Sequence, residues 1–258
     1  MWGSHTTFRR AALASIGGYR PGLAVDLHTS VTMHAAGWCS VYEPSVHTTG
    51  LVPSEIRGLT MQQFKWVRGV FDVWIWIWPR LRRGLTLAQN LAYTVRFTYY
   101  LIGPLFLVHA LAAVVVLGRG GAAGAAFTSY LFHAVPMGLA LLGIRWLANR
   151  LCDLPQQRSG QRFSVSGYAS SVAFWPVYTL ALIGALTRTP APHIATPTER
   201  TGRSPLWVAA PLVLCAALGF AMVVRIFAGV ALTDVVPLAI AAGAFLLQVP
   251  TIRATLRP

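Results

Sequence analysis

The chain is poor in charge. Only 11% of its 258 residues are Asp, Glu, Lys or Arg, against roughly 25% in an ordinary soluble domain. A soluble globule could not cover its surface with so few, which argues against a cytosolic enzyme made of this chain alone. Acids are scarcest, 7 Asp and Glu against 21 Lys and Arg. Lysine is almost missing, because Lys65 is the only one. The 3 cysteines, Cys39, Cys152 and Cys215, are scattered without metal-ligand spacing, so neither a disulfide scaffold nor a cysteine metal site is indicated. The first 20 residues lack the long apolar stretch of a signal peptide. No repeat at a fixed period is visible. What the chain has instead is 55% hydrophobic residues and a mean hydropathy of +0.56, which excludes intrinsic disorder.

A net charge of +14 and a pI near 11.0 would ordinarily raise nucleic acid as a partner. Here the arginines punctuate long apolar runs instead of clustering on a polar segment. That pattern reads as membrane flanks facing anionic lipid, with no nucleic acid. Uncharged stretches run over Phe97–Gly118, Gly120–Ile144, Phe163–Thr187, Ser204–Val224 and Val235–Ile252. Crossing a ~30 Å hydrocarbon core takes about 20 helical residues. Basic segments flank the third run on both sides: Arg145, Arg150, Arg158 and Arg162 before it, Arg188, Arg200 and Arg203 after it. A third crossing would place one of them outside, against the positive-inside rule. That run also carries serines and an aromatic band with Pro176, as suits a helix at the interface. The expectation is four spans plus one interfacial helix at about 163–187, in a multi-pass protein of the plasma membrane with its polar part cytoplasmic. His109 and His133, within the first two runs, are expected to bond neighbouring helices. Arg225 is expected to snorkel to the interface. No acid is expected to be buried in the bilayer, which counts against a pump.

The first 92 residues are more mixed and hold four of the seven acids, Asp26, Glu43, Glu55 and Asp72. Phe8–Ile16 has helical spacing and is stopped by Gly17-Gly18. A second helix is expected over Asp26–Ala36, ending at Gly37, and a short strand over Trp38–Tyr42. Forty-odd residues with one or two strands fall short of a complete α/β domain, so the chain is expected to begin inside one. The expected organisation is residues 1–58 as part of a catalytic domain, 59–92 as interfacial helices, and 93–258 as the membrane region.

Three blocks follow one another: GSHTTFRRAALASIGGYRP, VDLHTSVTMHAAGW, and YEPSVHTTGLVPSEIRGLTMQQFKWVRG. In this order they resemble the C-terminal half of the catalytic domain in processive family-two glycosyltransferases, the group of cellulose, hyaluronan and chitin synthases. That family has a T/E-E-D motif whose Asp is the general base; the matching stretch is Ala24-Val25-Asp26, with Val25 in place of an acid. Its Q-x-x-R-W motif, at the mouth of a translocation channel, is matched by Gln62-Gln63-Phe64-Lys65-Trp66. The resemblance covers about residues 2–75 closely and the later spans loosely. It implies a mixed fold, a partial α/β (GT-A-like) remnant followed by a helical transmembrane bundle.

The residue types suit the implied chemistry. Sugar transfer with inversion needs a base for the acceptor hydroxyl, and Asp26 would supply it. Without the flanking blocks, the same carboxylate would read as a helix N-terminal acid. Trp66 would stack on the acceptor sugar, or else anchor at the interface as Trp74, Trp76 and Trp78 nearby would. Lys65 would face the nucleotide diphosphate as a point charge, where the family prefers the bidentate fork of Arg. Gln62 and Gln63 would hydrogen-bond sugar or phosphate. His193–Thr198 is similar in position to the family's gating loop, with only Thr196 matching. The family's D-x-D pair, which holds a divalent metal (Mg or Mn), does not occur in this sequence. Its ligands are therefore expected outside the chain, and the chain alone is expected to be inactive. The implied partners are a nucleotide-sugar, a glycan or lipid-linked acceptor, membrane lipids and a separate N-terminal catalytic half. The rivals are a non-catalytic membrane channel or scaffold subunit, and an inactive remnant.

Overall fold

The computed structural model describes residues 6–41, 53, 55–120, 122–151, 171–191 and 206–256. The chain divides into two compact units, one of Met1–Gly103 with Phe174–Gly202, the other of Pro104–Ala173 with Arg203–Pro258.

In the first unit, α1 (Arg10–Ser15) and α2 (Val25–Ala35) form where sequence reading placed helices. The glycines that stop them sit at φ +76 and +93 (Gly17, Gly18) and +86 (Gly37), the left-handed region that residues with a Cβ avoid. Ala12, Ile16 and Met33 form a small core with Phe8, Leu13 and Trp38. The strand expected over Trp38–Tyr42 is a correction. Trp38–Val41 are not in a strand, and Tyr42 lies outside the described residues. The Trp38 indole instead donates to Ser15 Oγ at 3.0 Å, which turns the segment back onto α1. No strand occurs among the described residues, so the architecture they show is helical.

Helix α3 (Ile56–Asp72) carries the Gln62–Trp66 motif and runs through a π-helical turn, Val73–Ile77, into the short α4 (Trp78–Leu81). A capping box between Thr86 and Gln89 starts α5 (Leu87–Thr98). Trp74 and Trp78 have a packing role within the first unit. Both ring systems pack on fully buried Phe97 of α5, at centroid distances of 6.2 and 6.0 Å. Such aromatic pairs gain about 0.5–1.5 kcal/mol beyond area burial. Helix α8 (Trp175–Leu186) packs along α3. It has 12 residues, about 18 Å of helix, short of a ~30 Å hydrocarbon core.

The second unit holds α6 (Ile102–Arg119, which begins in the first unit), α7 (Ala122–Leu151), α9 (Leu206–Phe227) and α10 (Val235–Leu256). Among the described residues, three helical stretches are long and apolar enough to cross a membrane: Leu87–Arg119, Ala209–Phe227 and Leu232–Val249. Large apolar side chains such as Val108, Phe132 and Phe220 stand exposed on these helices and on α7, as lipid-facing residues would. The chain is a membrane protein by this measure. His109 donates or accepts at Tyr130 across α6 and α7, 3.1 Å apart, the expected helix-to-helix bond. Among the described residues, His133 bonds within its own helix, at Ser129 O, and not to a neighbouring one.

Two expectations fail at one place. Arg225 does not snorkel outward, and an acid is buried. Asp234 is fully buried and takes the Arg225 Nε–H at 2.7 Å and the Ala231 N–H at 2.9 Å. The turn between α9 and α10 brings the two together, and a buried carboxylate holds its position only when paired.

Candidate functional site

The site is built on a close approach of two backbones. A Cβ at Gly69 of α3 would lie 2.6 Å from Ala24 N and 2.9 Å from Leu23 C. Only glycine lets α3 press this closely on the residues that open α2. At the far end of α2, Gly84 repeats the device against Ala35, whose carbonyl oxygen would lie 2.5 Å from a Cβ. Asp26 sits two residues beyond Ala24, in the first turn of α2. On α3, residues 62, 65 and 66 precede Gly69 by seven, four and three positions. They therefore lie on the helix face that Gly69 turns toward α2.

The contact sets the backbone just before α2, two residues ahead of Asp26, against α3, the helix that carries Gln62, Lys65 and Trp66. Asp26 is half-buried, and among the described residues its carboxylate takes no side-chain hydrogen bond or ion pair. It lies within electrostatic reach of the buried Tyr100 hydroxyl. Trp66 is 45% exposed, so a flat apolar face remains open to solvent. Lys65 is half-buried. Gln63 departs from the group. One position around the helix, it faces α8, where the Tyr178 hydroxyl donates to its Oε1 at 3.3 Å. Thr196 and the rest of His193–Thr198 lie outside the described residues.

Two histidines stand on α2, His28 near the turn that carries Asp26 and His34 in the last turn. His28 Nδ1–H donates to the Pro21 carbonyl at 2.9 Å. Burial lowers its pKa, and the Arg20 charge adds to that effect. His34 bridges Ser40 Oγ (2.7 Å) and the Tyr93 hydroxyl (2.8 Å), and burial lowers its pKa as well.

Sequence reading missed a second set on α3, continuing into the π-helical turn and α4. Arg68 is 6% exposed and donates through Nε to both Asp72 oxygens at 3.0 and 3.1 Å, and through Nη2 to Thr189 O at 2.8 Å. A Cβ at Gly184 would lie 2.8 Å from Arg68 Nη1, so a glycine in α8 makes room for the guanidinium. The Trp76 indole donates to Ala185 O at 2.9 Å. The signal was available as an Arg-x-x-x-Asp spacing, which pairs oppositely charged side chains on one helical face.

The divalent metal that the resemblance implies finds no fit here. Among the described residues, no three or more His, Cys, Asp or Glu side chains come together to hold an ion.

Comparison with known proteins bears on this arrangement. No protein-family model matches the chain, and no solved structure matches it. The chain is similar to the cellulose synthase catalytic subunit (UDP-forming) of Komagataeibacter sucrofermentans, 29% identical over 163 residues. That alignment covers 63% of this chain and 20% of the relative. It is also similar to the cellulose synthase catalytic subunit (UDP-forming) of Xanthomonas axonopodis pv. citri, 28% identical over 102 residues, 39% of this chain and 14% of the relative. The chain thus spans about a fifth of the length of the first of these proteins and less of the second. A membrane helical chain with the ordered Asp26 and Gln62–Trp66 motifs, similar in sequence to two cellulose synthase catalytic subunits, is related to the processive family-two glycosyltransferases.

Proposed function

We propose that this chain is the acceptor-side and membrane portion of an inverting glycosyltransferase. It moves a sugar from a nucleotide-sugar to a hydroxyl of a glycan or lipid-linked acceptor, and its membrane helices offer the product a path across the bilayer. The observation that carries this reading is the Gly69–Ala24 backbone contact. It brings Ala24, two residues before Asp26, against α3, and this supports a site shared by Asp26 with Gln62, Lys65 and Trp66 of that helix.

In this reading Asp26 takes the proton from the acceptor hydroxyl as its oxygen attacks the anomeric carbon. The bond from that carbon to the diphosphate oxygen breaks, and its electron pair leaves with the nucleotide. A carboxylate that no side chain among the described residues occupies suits the acceptance of that proton. Trp66 offers its exposed face to the C–H surface of the acceptor sugar. Lys65 places a positive charge toward the leaving diphosphate. Gln62 hydrogen-bonds sugar or phosphate, while Gln63 is held toward α8 by the Tyr178 hydroxyl. Residues 1–58 serve as catalytic domain, of GT-A-like type once completed by a D-x-D-bearing nucleotide half; 59–92 serve as the interfacial platform. Four crossings in residues 93–258, with the interfacial helix at 163–187, keep the basic segments and the catalytic part on the cytoplasmic side of the plasma membrane.

The test combines this chain with a D-x-D-bearing N-terminal half from a related synthase, fused or co-expressed. Transfer should appear only with both parts. Trp66→Ala should cut it, and Trp66→Phe should keep part of it, because losing a stacked ring costs on the order of 1 kcal/mol. Full activity of both Trp66 variants would remove the acceptor platform from the proposal.

A further inference from the structure

A second feature of the first unit lies on a different stripe of the same helical segment. Arg68, Asp72, Trp76 and Arg80 recur every four residues and line a cleft of about 500 Å³ together with Gly22, Leu23 and the Arg188–Ala191 segment after α8. That volume lies in the range of small-ligand sites, roughly 300–1,000 Å³. Three arginines and one carboxylate line it, and that carboxylate is spent on Arg68. Among the described residues no carboxylate pairs with Arg80 or Arg188.

Arg188 is held in an unusual way. It is the only non-glycine residue at positive φ among the described residues, at +55. It follows α8 at a position where helices ordinarily end on glycine, and Thr189 N–H closes back on Gly184 O at 3.1 Å. A residue with a Cβ is disfavoured there. Its guanidinium carbon lies 3.8 Å from the centroid of the Trp76 ring, and the indole is itself pinned to Ala185 O. Stacking occupies the flat face of a guanidinium and leaves its in-plane N–H donors for an acceptor. Disfavoured backbone that the surroundings hold in place is a pointer to a functional position.

We infer that this cleft is a phosphate-binding site, in which the Trp76-stacked Arg188 and Arg80 take the oxygens of a phosphate group, with buried Arg68 as a fixed third charge. Guanidinium forks match phosphate oxygens in pairs. Two sources share this chemistry, the headgroup of an anionic phospholipid and a soluble phosphate. The inference does not depend on the role proposed for Asp26, since it concerns a different stripe of the helical segment.

The experiment uses the full chain purified in detergent. Native mass spectrometry reads retained phosphatidylglycerol, and equilibrium dialysis reads bound inorganic pyrophosphate. The variant Arg80→Gln/Arg188→Asn removes both donors, with Asn chosen because it tolerates the left-handed backbone. It should lower binding of whichever phosphate is held by about tenfold or more, the order expected for charge-assisted hydrogen bonds. Arg82→Gln/Arg83→Gln removes the same charge nearby and should leave binding intact. Arg80→Gln alone, at an exposed position, provides the reading if the double variant loses its helical circular dichroism. Retained phosphatidylglycerol that pyrophosphate does not displace identifies the lipid headgroup; pyrophosphate binding with the same arginine dependence identifies a soluble phosphate. Binding of neither, or equal loss in the Arg82/Arg83 variant, overturns the site.

Discussion

Gly69→Ala puts the packing argument at risk most economically. The added methyl would lie 2.6 Å from Ala24 N, 2.7 Å from Ala24 Cβ and 2.9 Å from Leu23 C, where ordinary contact begins near 3.4 Å. Two of those neighbours are backbone atoms, so no side chain can swing away to relieve the clash. α3 and the opening of α2 must separate by roughly 0.5–1 Å, and overpacking of this kind costs about 1–3 kcal/mol. Since Asp26 rides on the displaced turn, the proposed base moves relative to the acceptor platform proposed on α3. A misplacement of about 1 Å at a reacting centre can cost on the order of 10²-fold in rate. The assay pairs thermal unfolding of the detergent-solubilised chain with sugar transfer by the completed enzyme. Unfolding should shift down by several degrees, and transfer should fall further than the lost stability explains. Gly118→Ala is the control, because nothing lies within 4 Å of its added Cβ. A Gly69→Ala chain with unchanged unfolding and full transfer would refute the contact as the element that positions Asp26.

Other expectations follow from the same unit. Asp72→Asn leaves the Arg68 guanidinium, 6% exposed, with a weaker partner. A loss of about 1–3 kcal/mol is expected in denaturant unfolding, as for a charged hydrogen bond left incomplete; no change would mean that water replaces the carboxylate. His28 and His34 have pKa values lowered by burial, so the unfolded chain binds protons more readily than the folded one. Their contribution is therefore full above the ordinary histidine value of about 6.5 and is lost as pH falls through it toward the folded values. The chain should lose thermal stability between about pH 7 and 5, in the range where histidines titrate, and His28→Gln/His34→Gln should flatten that slope. An unaltered slope in the double variant would place the acid sensitivity elsewhere.

Local signals in the sequence were sound where the backbone itself enforces them. The stops at Gly17-Gly18 and Gly37 are visible because positive φ selects glycine, and the apolar runs are visible because a bilayer demands length. The strand at Trp38–Tyr42 misled because its apolar and aromatic content came from a packing role: Trp38 closes the small core of α1 and α2. Arg225 misled for a similar reason. Its charge lies near a span end, where snorkelling is the common outcome, and nothing local reveals that a turn returns Asp234 to it. The candidate site was legible as motifs, but the packing between their helices was not. That α3 meets the opening of α2 depends on Gly69, whose meaning appears only when the opposing backbone is in place. The Arg188–Trp76 stack was hidden for a stronger reason, since it joins residues more than a hundred positions apart.

The central claim is that Asp26 is the base. Its most direct measurement is the single-turnover rate of sugar transfer by the completed enzyme carrying Asp26→Asn, taken alongside nucleotide-sugar binding to the same preparation. The amide keeps the shape of the side chain and loses its basicity. Transfer should fall by about 10²–10⁴-fold, as on removal of a general base, while nucleotide-sugar affinity stays within a few-fold of the original. Transfer at the original rate by the Asp26→Asn enzyme would contradict the claim.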